Sequence, residues 1–217
     1  MTKVAASILS CNNAFLGDAV KRAEDAKADI IHIDIMDGHY VQNLSFGPKT
    51  VTDLKAITSL PVEVHLELEN ASEMIDVFAQ AGADIIIIQY DQCPLPIRLL
   101  RRIRSLGKKA GIAVNPGVGI RQLKYFLGDI DVIVIMSVEP GFGGQAFEEC
   151  TYEKVSEMKE ILKEAGRDIP VAVDGGIDFS IADKLKKAGA DILIVGSSLY
   201  AEDDIKRAVK MLKRQVV

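Results

Sequence analysis

Ala81-Gly82-Ala83-Asp84-Ile85 recurs as Ala188-Gly189-Ala190-Asp191-Ile192, and a looser copy, Lys27-Ala28-Asp29-Ile30, stands near the start of the chain. Each copy follows a stretch with helical spacing and leads into an apolar run, so each marks a joint from helix to strand. Glycine suits the end of a helix, where the backbone turns left-handed, and aspartate suits the turn that follows. Outward from these joints, apolar runs suited to buried parallel strands lie at 4–9, 30–35, 62–66, 85–90, 110–115, 132–138, 171–173 and 192–195. Helical spacing fills the intervals at 15–27, 71–81, 96–106, 152–164, 181–188 and 203–212, with shorter candidates at 48–57 and 120–127. Strict alternation implies an α/β fold with parallel strands. Eight roughly equal units favour a closed (β/α)8 TIM barrel over an open doubly wound sheet. The open sheet would call for a glycine fingerprint after its first strand, and Ser7-Ile8-Leu9-Ser10-Cys11-Asn12 has none.

No Pro/Gly/Ser-rich stretch, charge block or low-complexity run divides the 217 residues, and 48% of them are hydrophobic, so one domain over 1–217 is expected. The net charge of −5 is spread along the helices, which leaves no basic face to neutralise nucleic-acid phosphates. The N-terminus Met-Thr-Lys-Val-Ala-Ala-Ser has neither a secretory nor an Arg-rich presequence pattern, and no apolar run reaches membrane-spanning length. A cytosolic protein with no membrane or nucleic-acid partner is expected. Cys11, Cys93 and Cys150 are odd in number and widely spaced, which fits reduced thiols; nothing near Cys11 marks it as a nucleophile.

The apolar strands carry few polar residues. His32 and Asp34 stand two apart in one strand and so face one interior together, while His65 and Asp174 are polar residues set in comparable apolar runs. A single such residue is ordinarily a hydrogen-bonded structural group. Four together imply a cation or a shared proton network, because an unpartnered buried carboxylate is costly. Two imidazoles and two carboxylates suit a divalent metal, with zinc, iron and manganese all compatible, and they can also move protons. In a barrel these residues belong toward the C-terminal strand ends, the face that carries active sites.

Glycines cluster after the last three strands, as Gly141-Phe142-Gly143-Gly144, as Gly175-Gly176 and as Gly196-Ser197. Each pair alone is ordinary turn chemistry. On three consecutive loops they let backbone N–H groups close on an oxyanion, and a phosphate is expected there.

Taken with Ser7-Ile8-Leu9-Ser10, the run 32–39, the run 43–48, Val64-His65-Leu66, Asn115-Pro116-Gly117, Val173-Asp174-Gly175-Gly176 and Gly196-Ser197, the chain resembles the ribulose-phosphate 3-epimerase family along essentially its whole length. The resemblance implies one divalent metal on His32, Asp34, His65 and Asp174, with Asp34 and Asp174 as the acid/base pair. It implies substrate contacts from Ser7, His65, Met36 and Met136, and a phosphate held by Gly141, Phe142, Gly143, Gly144, Gly175, Gly176, Gly196 and Ser197. It further implies a phosphorylated ketose as substrate, with D-ribulose 5-phosphate first and a six-carbon relative such as D-allulose 6-phosphate next. A place in the pentose phosphate pathway and a homo-oligomeric assembly are expected on the same ground. Two positions depart from the family pattern: Glu67 stands where a methionine is usual, and Gln89-Tyr90-Asp91 replaces a His-x-Glu. Glu67 either faces the metal neighbourhood or turns outward into a subunit contact. An aldolase or decarboxylase on such a barrel would want a lysine beside Asp34 or Asp174, and none is adjacent. A noncatalytic sugar-phosphate sensor would have no need of two opposed proton-transfer groups.

Overall fold

The structure is a computed structural model that describes residues 2–214. Eight parallel strands close on one another in chain order: β1 (Lys3–Ser7), β2 (Ile30–Met36), β3 (Val62–Glu67), β4 (Ile85–Gln89), β5 (Lys109–Val114), β6 (Val132–Met136), β7 (Val171–Asp174) and β8 (Ile192–Val195). Around them lie α1 (Leu16–Asp25), α2 (Pro48–Lys55), α3 (Ala71–Gln80), α4 (Pro96–Ser105), α5 (Cys150–Glu164), α6 (Phe179–Ala188), a short α7 (Ser197–Tyr200) and α8 (Ile205–Lys213). The (β/α)8 barrel expected from the alternation is the fold found. No described helix is long and apolar enough to cross a membrane.

Strand alternation splits the apolar residues into two cores. Outward-facing side chains such as Val4, Ile33, Val64, Ile86 and Ile112 pack beneath the helices. A smaller core of Ala5, Ile30, Ile85, Ile87, Ala113, Val132, Val134, Met136, Ala172, Ile192 and Ile194 fills the barrel itself. Gly111 belongs to the inner set for want of room, since a Cβ there would lie 2.6 Å from Ile87 and 2.8 Å from Val132.

Several boundaries differ from the sequence reading. In place of a helix over 120–127 the chain forms two short 3-10 turns, Arg121–Tyr125 and Leu127–Asp129, which break at Phe126, because the segment is too short to hold a helix. β1 and β6 end sooner than their apolar runs. Just past β1 the Ile8 N–H still donates to the His32 carbonyl over 3.2 Å, whereas Val138 stays buried after the β6 ladder stops, so apolarity at Val138 reports burial rather than pairing. α6 begins two residues early because Asp178 caps it, accepting from the N–H groups of Ser180 and Ile181. Asp204 likewise caps α8, accepting from Arg207.

The aspartates of the repeated joint do more than turn the chain. Asp29, Asp84 and Asp191, joined by Asp131 ahead of β6, each accept a 2.8 Å hydrogen bond from a neighbouring strand, at Val4, Val62, Val171 and Ala110 respectively. Each also faces a cation: Lys213 at 2.7 Å, Lys55 at 2.6 Å, Lys159 at 3.0 Å and Arg104 at 3.7 Å, in the same order. These four carboxylates tie odd strands to even ones around the barrel floor. Gly82 and Gly189 precede them with φ of 106° and 108°, and Lys27 takes the equivalent left-handed place with φ 65°.

Candidate active site

Strand register builds the opposite end of the barrel. β2 and β3 pair so that His32 lies beside Glu63, Asp34 beside His65 and Met36 beside Glu67. Met136 of β6 lies beside Asp174 of β7. Because residues two apart share a face, β2 turns Ile30, His32, Asp34 and Met36 inward, and β3 turns Glu63, His65 and Glu67 inward. One side of the barrel interior is therefore a polar column, which Ser7 of β1, Gln89 of β4 and Asp174 of β7 join, and the inner apolar core fills the rest. His32 is midway along β2 rather than at its end, because that strand runs on to Met36.

The four residues expected to hold a metal converge. His32 Nε2 lies 2.9 Å from Asp34 Oδ1 and 3.6 Å from Asp174 Oδ2, and His65 Nδ1 lies 3.4 Å and 3.8 Å from the same two oxygens. One donor atom from each residue fits within 4.8 Å of all the others. His65 Nδ1 is buried with no hydrogen-bond partner. Among the described residues no Lys or Arg forms an ion pair with Asp34, Glu63, Glu67 or Asp174. A dense set of hard and borderline donors with an orphaned imidazole nitrogen and no protein cation fits a divalent ion. Behind the cluster, His32 Nδ1 donates to Glu63 Oε1 over 2.7 Å, which leaves Nε2 aimed at the carboxylates.

Burial works against the charged forms here, and the neighbours decide which survive. Burial pushes the His32 imidazole down, yet Asp34, Glu63 and Asp174 outweigh it and hold His32 well above its usual value. Asp34, buried as well, is held well below the carboxylate range by His32 and His65. Asp174 goes the other way, to about 6, through burial and the Asp34 charge. Glu67 is also raised, by burial and then by Asp34 and Asp174.

A pocket opens above the cluster. Its lining includes Ser7, Asp34, Met36, Glu67, Met136 and Asp174, together with Gly141, Phe142, Gly143, Gly144, Gly175, Gly176, Gly196 and Ser197. His32 and His65 are fully buried behind this lining. Ser7 Oγ donates to Asp34 Oδ2 over 3.1 Å. The glycines are closely fitted: a Cβ on Gly175 would lie 2.5 Å from Val138, and one on Gly176 would lie 2.7 Å from the Gln145 carbonyl. Both have positive φ, of 112° and 58°. Backbone therefore approaches the pocket where side chains would fill it.

Glu67 faces inward and is 2% exposed, because β3 continues unbroken through it. Of the two placements open in the sequence, the outward one is excluded. Gln89, the second departure, is also buried and lies 3.1 Å from His65 Nε2 through its own Nε2. Sequence reasoning passed over Glu63, although its place two residues before His65 puts both on one face. It also passed over Tyr40, whose hydroxyl donates to Asp91 over 3.2 Å and accepts from Asn115 over 2.7 Å. No local pattern marks three loops that meet only in the closed barrel. Cys93 is buried, and burial pushes its thiol up to about 12, while burial pushes Cys11 up to about 11, so neither is poised as a nucleophile.

Residues 3–200 match the family described as the Ribulose-phosphate 3 epimerase family. The chain is 40% identical to the ribulose-phosphate 3-epimerase of Bacillus subtilis over 98% of its own length and 99% of that protein. It is equally identical to the ribulose-phosphate 3-epimerase of Methanocaldococcus jannaschii, covering 98% of the chain and 90% of the relative. Among solved structures, a mutant tryptophan synthase α-subunit from Pyrococcus furiosus superposes with a TM-score of 0.72 at 15% identity, covering 97% of this chain and 96% of that one. Thiamine phosphate pyrophosphorylase from the same organism gives 0.65 at 17%, over 97% and 93%. Those likenesses describe the barrel alone, whereas the match along the sequence is specific: the chain belongs to the ribulose-phosphate 3-epimerase family of carbohydrate epimerases.

Proposed function

We propose that the chain inverts a ketose phosphate at the carbon beside its carbonyl, interconverting D-ribulose 5-phosphate and D-xylulose 5-phosphate. The observation that carries this reading is the pair Asp34 and Asp174, set on separate strands, facing one pocket and pushed apart in proton affinity. One carboxylate takes the proton from C3. The C–H electron pair becomes the C2–C3 double bond, and the carbonyl electrons move onto O2, giving an enediolate. The other carboxyl returns a proton to C3 from the opposite face, and the roles reverse for the back reaction. A divalent ion held by His32, Asp34, His65 and Asp174 supplies positive charge against the charge developing on the substrate oxygens. Ser7 holds Asp34 through its Oδ2. Met36 and Met136 offer an apolar wall beside the reacting carbons, and the glycine loops offer backbone N–H groups to the phosphate.

Turnover of D-ribulose 5-phosphate in heavy water tests the route. One solvent deuterium at C3 of the product is expected; product with none there excludes the two-base mechanism.

The inward Glu67 favours a second reading of the substrate, a six-carbon ketose phosphate such as D-allulose 6-phosphate, because a carboxyl group in the pocket wall can hydrogen-bond a sugar hydroxyl that methionine cannot. Such a bond is worth roughly 1.5–3 kcal/mol. Under this reading Glu67→Met shifts the ratio of kcat/KM values between the two sugars at least about tenfold toward D-ribulose 5-phosphate. An unchanged ratio leaves the pentulose as the substrate.

A further inference from the structure

The two imidazoles of the cluster are held from behind in different ways. His32 has its Nδ1 against the Glu63 carboxylate at 2.7 Å, and a carboxylate only accepts, so His32 keeps a proton on Nδ1 and its Nε2 faces the other donors. His65 is turned the other way round. Its Nδ1 faces Asp34 and Asp174, and its Nε2 meets the carboxamide of Gln89 at 3.1 Å. As the amide stands, Gln89 Nε2 donates to a bare His65 Nε2, which places the imidazole proton on Nδ1, where it has no hydrogen-bond partner. Gln89 Oε1 is also buried without a partner. Turning the carboxamide through half a turn lets Oε1 accept from Nε2–H and leaves Nδ1 with a free lone pair aimed at the two carboxylates, where a cation would be shared with them.

We propose that Gln89 is a positioning residue that selects the tautomer of His65, its amide donating to Nε2 without metal and accepting from Nε2–H when Nδ1 binds one. The inference rests on the metal site of the preceding section. Its chemistry is that of a neutral amide, which offers a donor and an acceptor of the same shape, so it satisfies either state in place. A carboxylate serves only the loaded state, and an aliphatic side chain serves neither. The amide is this chain's own departure, standing where the family pattern has a histidine. Partners of this kind, behind metal-bound imidazoles, ordinarily change metal affinity by about 10–100-fold when removed.

Zinc is titrated into stripped protein against a chromophoric chelator, for the natural chain, Gln89→Leu and Gln89→Glu. Gln89→Leu is expected to bind zinc at least about tenfold more weakly, and Gln89→Glu, which restores an acceptor, to bind as tightly as the natural chain or tighter. A smaller loss in Gln89→Leu overturns the proposal, as does an equal loss in both variants, which is what mere loss of packing gives. Long-range 1H–15N correlation spectra of the natural chain report the tautomer without any substitution. The proton of His65 is expected on Nδ1 in stripped protein and on Nε2 in zinc-loaded protein, while His32 keeps its proton on Nδ1 when loaded; the same His65 tautomer in both states overturns the proposal. Failure of the natural chain to bind zinc, iron or manganese refutes the metal site itself and the role of Gln89 with it, whereas tight binding with no effect of Gln89 refutes the second alone.

Discussion

The two ends of the barrel use the same residue type to opposite effect. On the floor, Asp29, Asp84, Asp131 and Asp191 each meet a strand N–H and a lysine or arginine, so every carboxylate has a permanent partner. At the mouth, Asp34, Glu67 and Asp174 share two buried imidazoles, and among the described residues no lysine or arginine pairs with them. Carboxylates with a built-in cation hold strands together. Carboxylates from which the cation is withheld repel one another, shift their proton affinities and leave donors unspent for a ligand. The location matches the division seen across such barrels, in which the N-terminal face serves stability and the C-terminal face serves chemistry.

Substituting one carboxylate at each end gives the widest separation. Asp34→Asn or Asp174→Asn is expected to lower kcat by about 10²–10⁴-fold in metal-matched protein, because an amide cannot accept the proton. Retention of a tenth of the natural turnover would refute the proton-transfer assignment. Asp84→Ala should leave kcat of the folded protein unchanged and instead lose about 1–2 kcal/mol in denaturant unfolding, from one charge-assisted bond to Val62 and a half-screened pair with Lys55. A fall in kcat without a fall in stability would erase the distinction between the two ends.

Metal removal and pH sharpen the comparison next. In stripped protein Asp174 titrates at about 6 against its ordinary 3.8, and His32 titrates well above its ordinary 6.5. Both folded groups bind protons more tightly than the unfolded chain does. Their contribution is therefore complete below the unfolded values and is lost as pH rises through the folded ones. Asp34, held low, loses its contribution only as pH falls below its ordinary 3.8. The Tm of stripped protein should accordingly decline as pH rises from about 4 through 6 and further above 6.5, and metal should reverse the slope by displacing those protons. A flat or rising Tm in stripped protein over that window would contradict the uncompensated mouth. The smallest effect lies at the floor. Lys27 occupies the left-handed place that Gly82 and Gly189 fill in the other copies of the joint, at φ 65°. Lys27→Gly should stabilise by up to about 1 kcal/mol, the cost of holding a side chain there, and an unfolding midpoint below the natural one would show that its side-chain contacts outweigh the strain.

Most of the fold was legible because its two signals are local. Strand apolarity and the Gly-Ala-Asp joint each occupy a few consecutive residues, and their count and spacing leave little but a closed barrel. His32, Asp34, His65 and Asp174 stood out because each is polar within an apolar run. What escaped was whatever depends on register. Glu63 behind His32, Gln89 behind His65 and the Tyr40–Asp91–Asn115 contact join separate elements, and the segment 120–127 had helical spacing without the length to sustain a helix.

The sequence by itself determined the barrel, the four converging donors and the family, since apolar periodicity and motif order are properties of the chain alone. Only the tertiary structure decided that Glu67 faces the pocket, that Asp34 and Asp174 part in proton affinity, and that four floor aspartates pair off while the mouth carboxylates do not. Alternation gives a side chain's face only as far as the strand runs, and Glu67 is the last residue of β3. Charge compensation depends on which side chains other strands and helices bring within a few ångströms, and that is fixed only when the barrel closes.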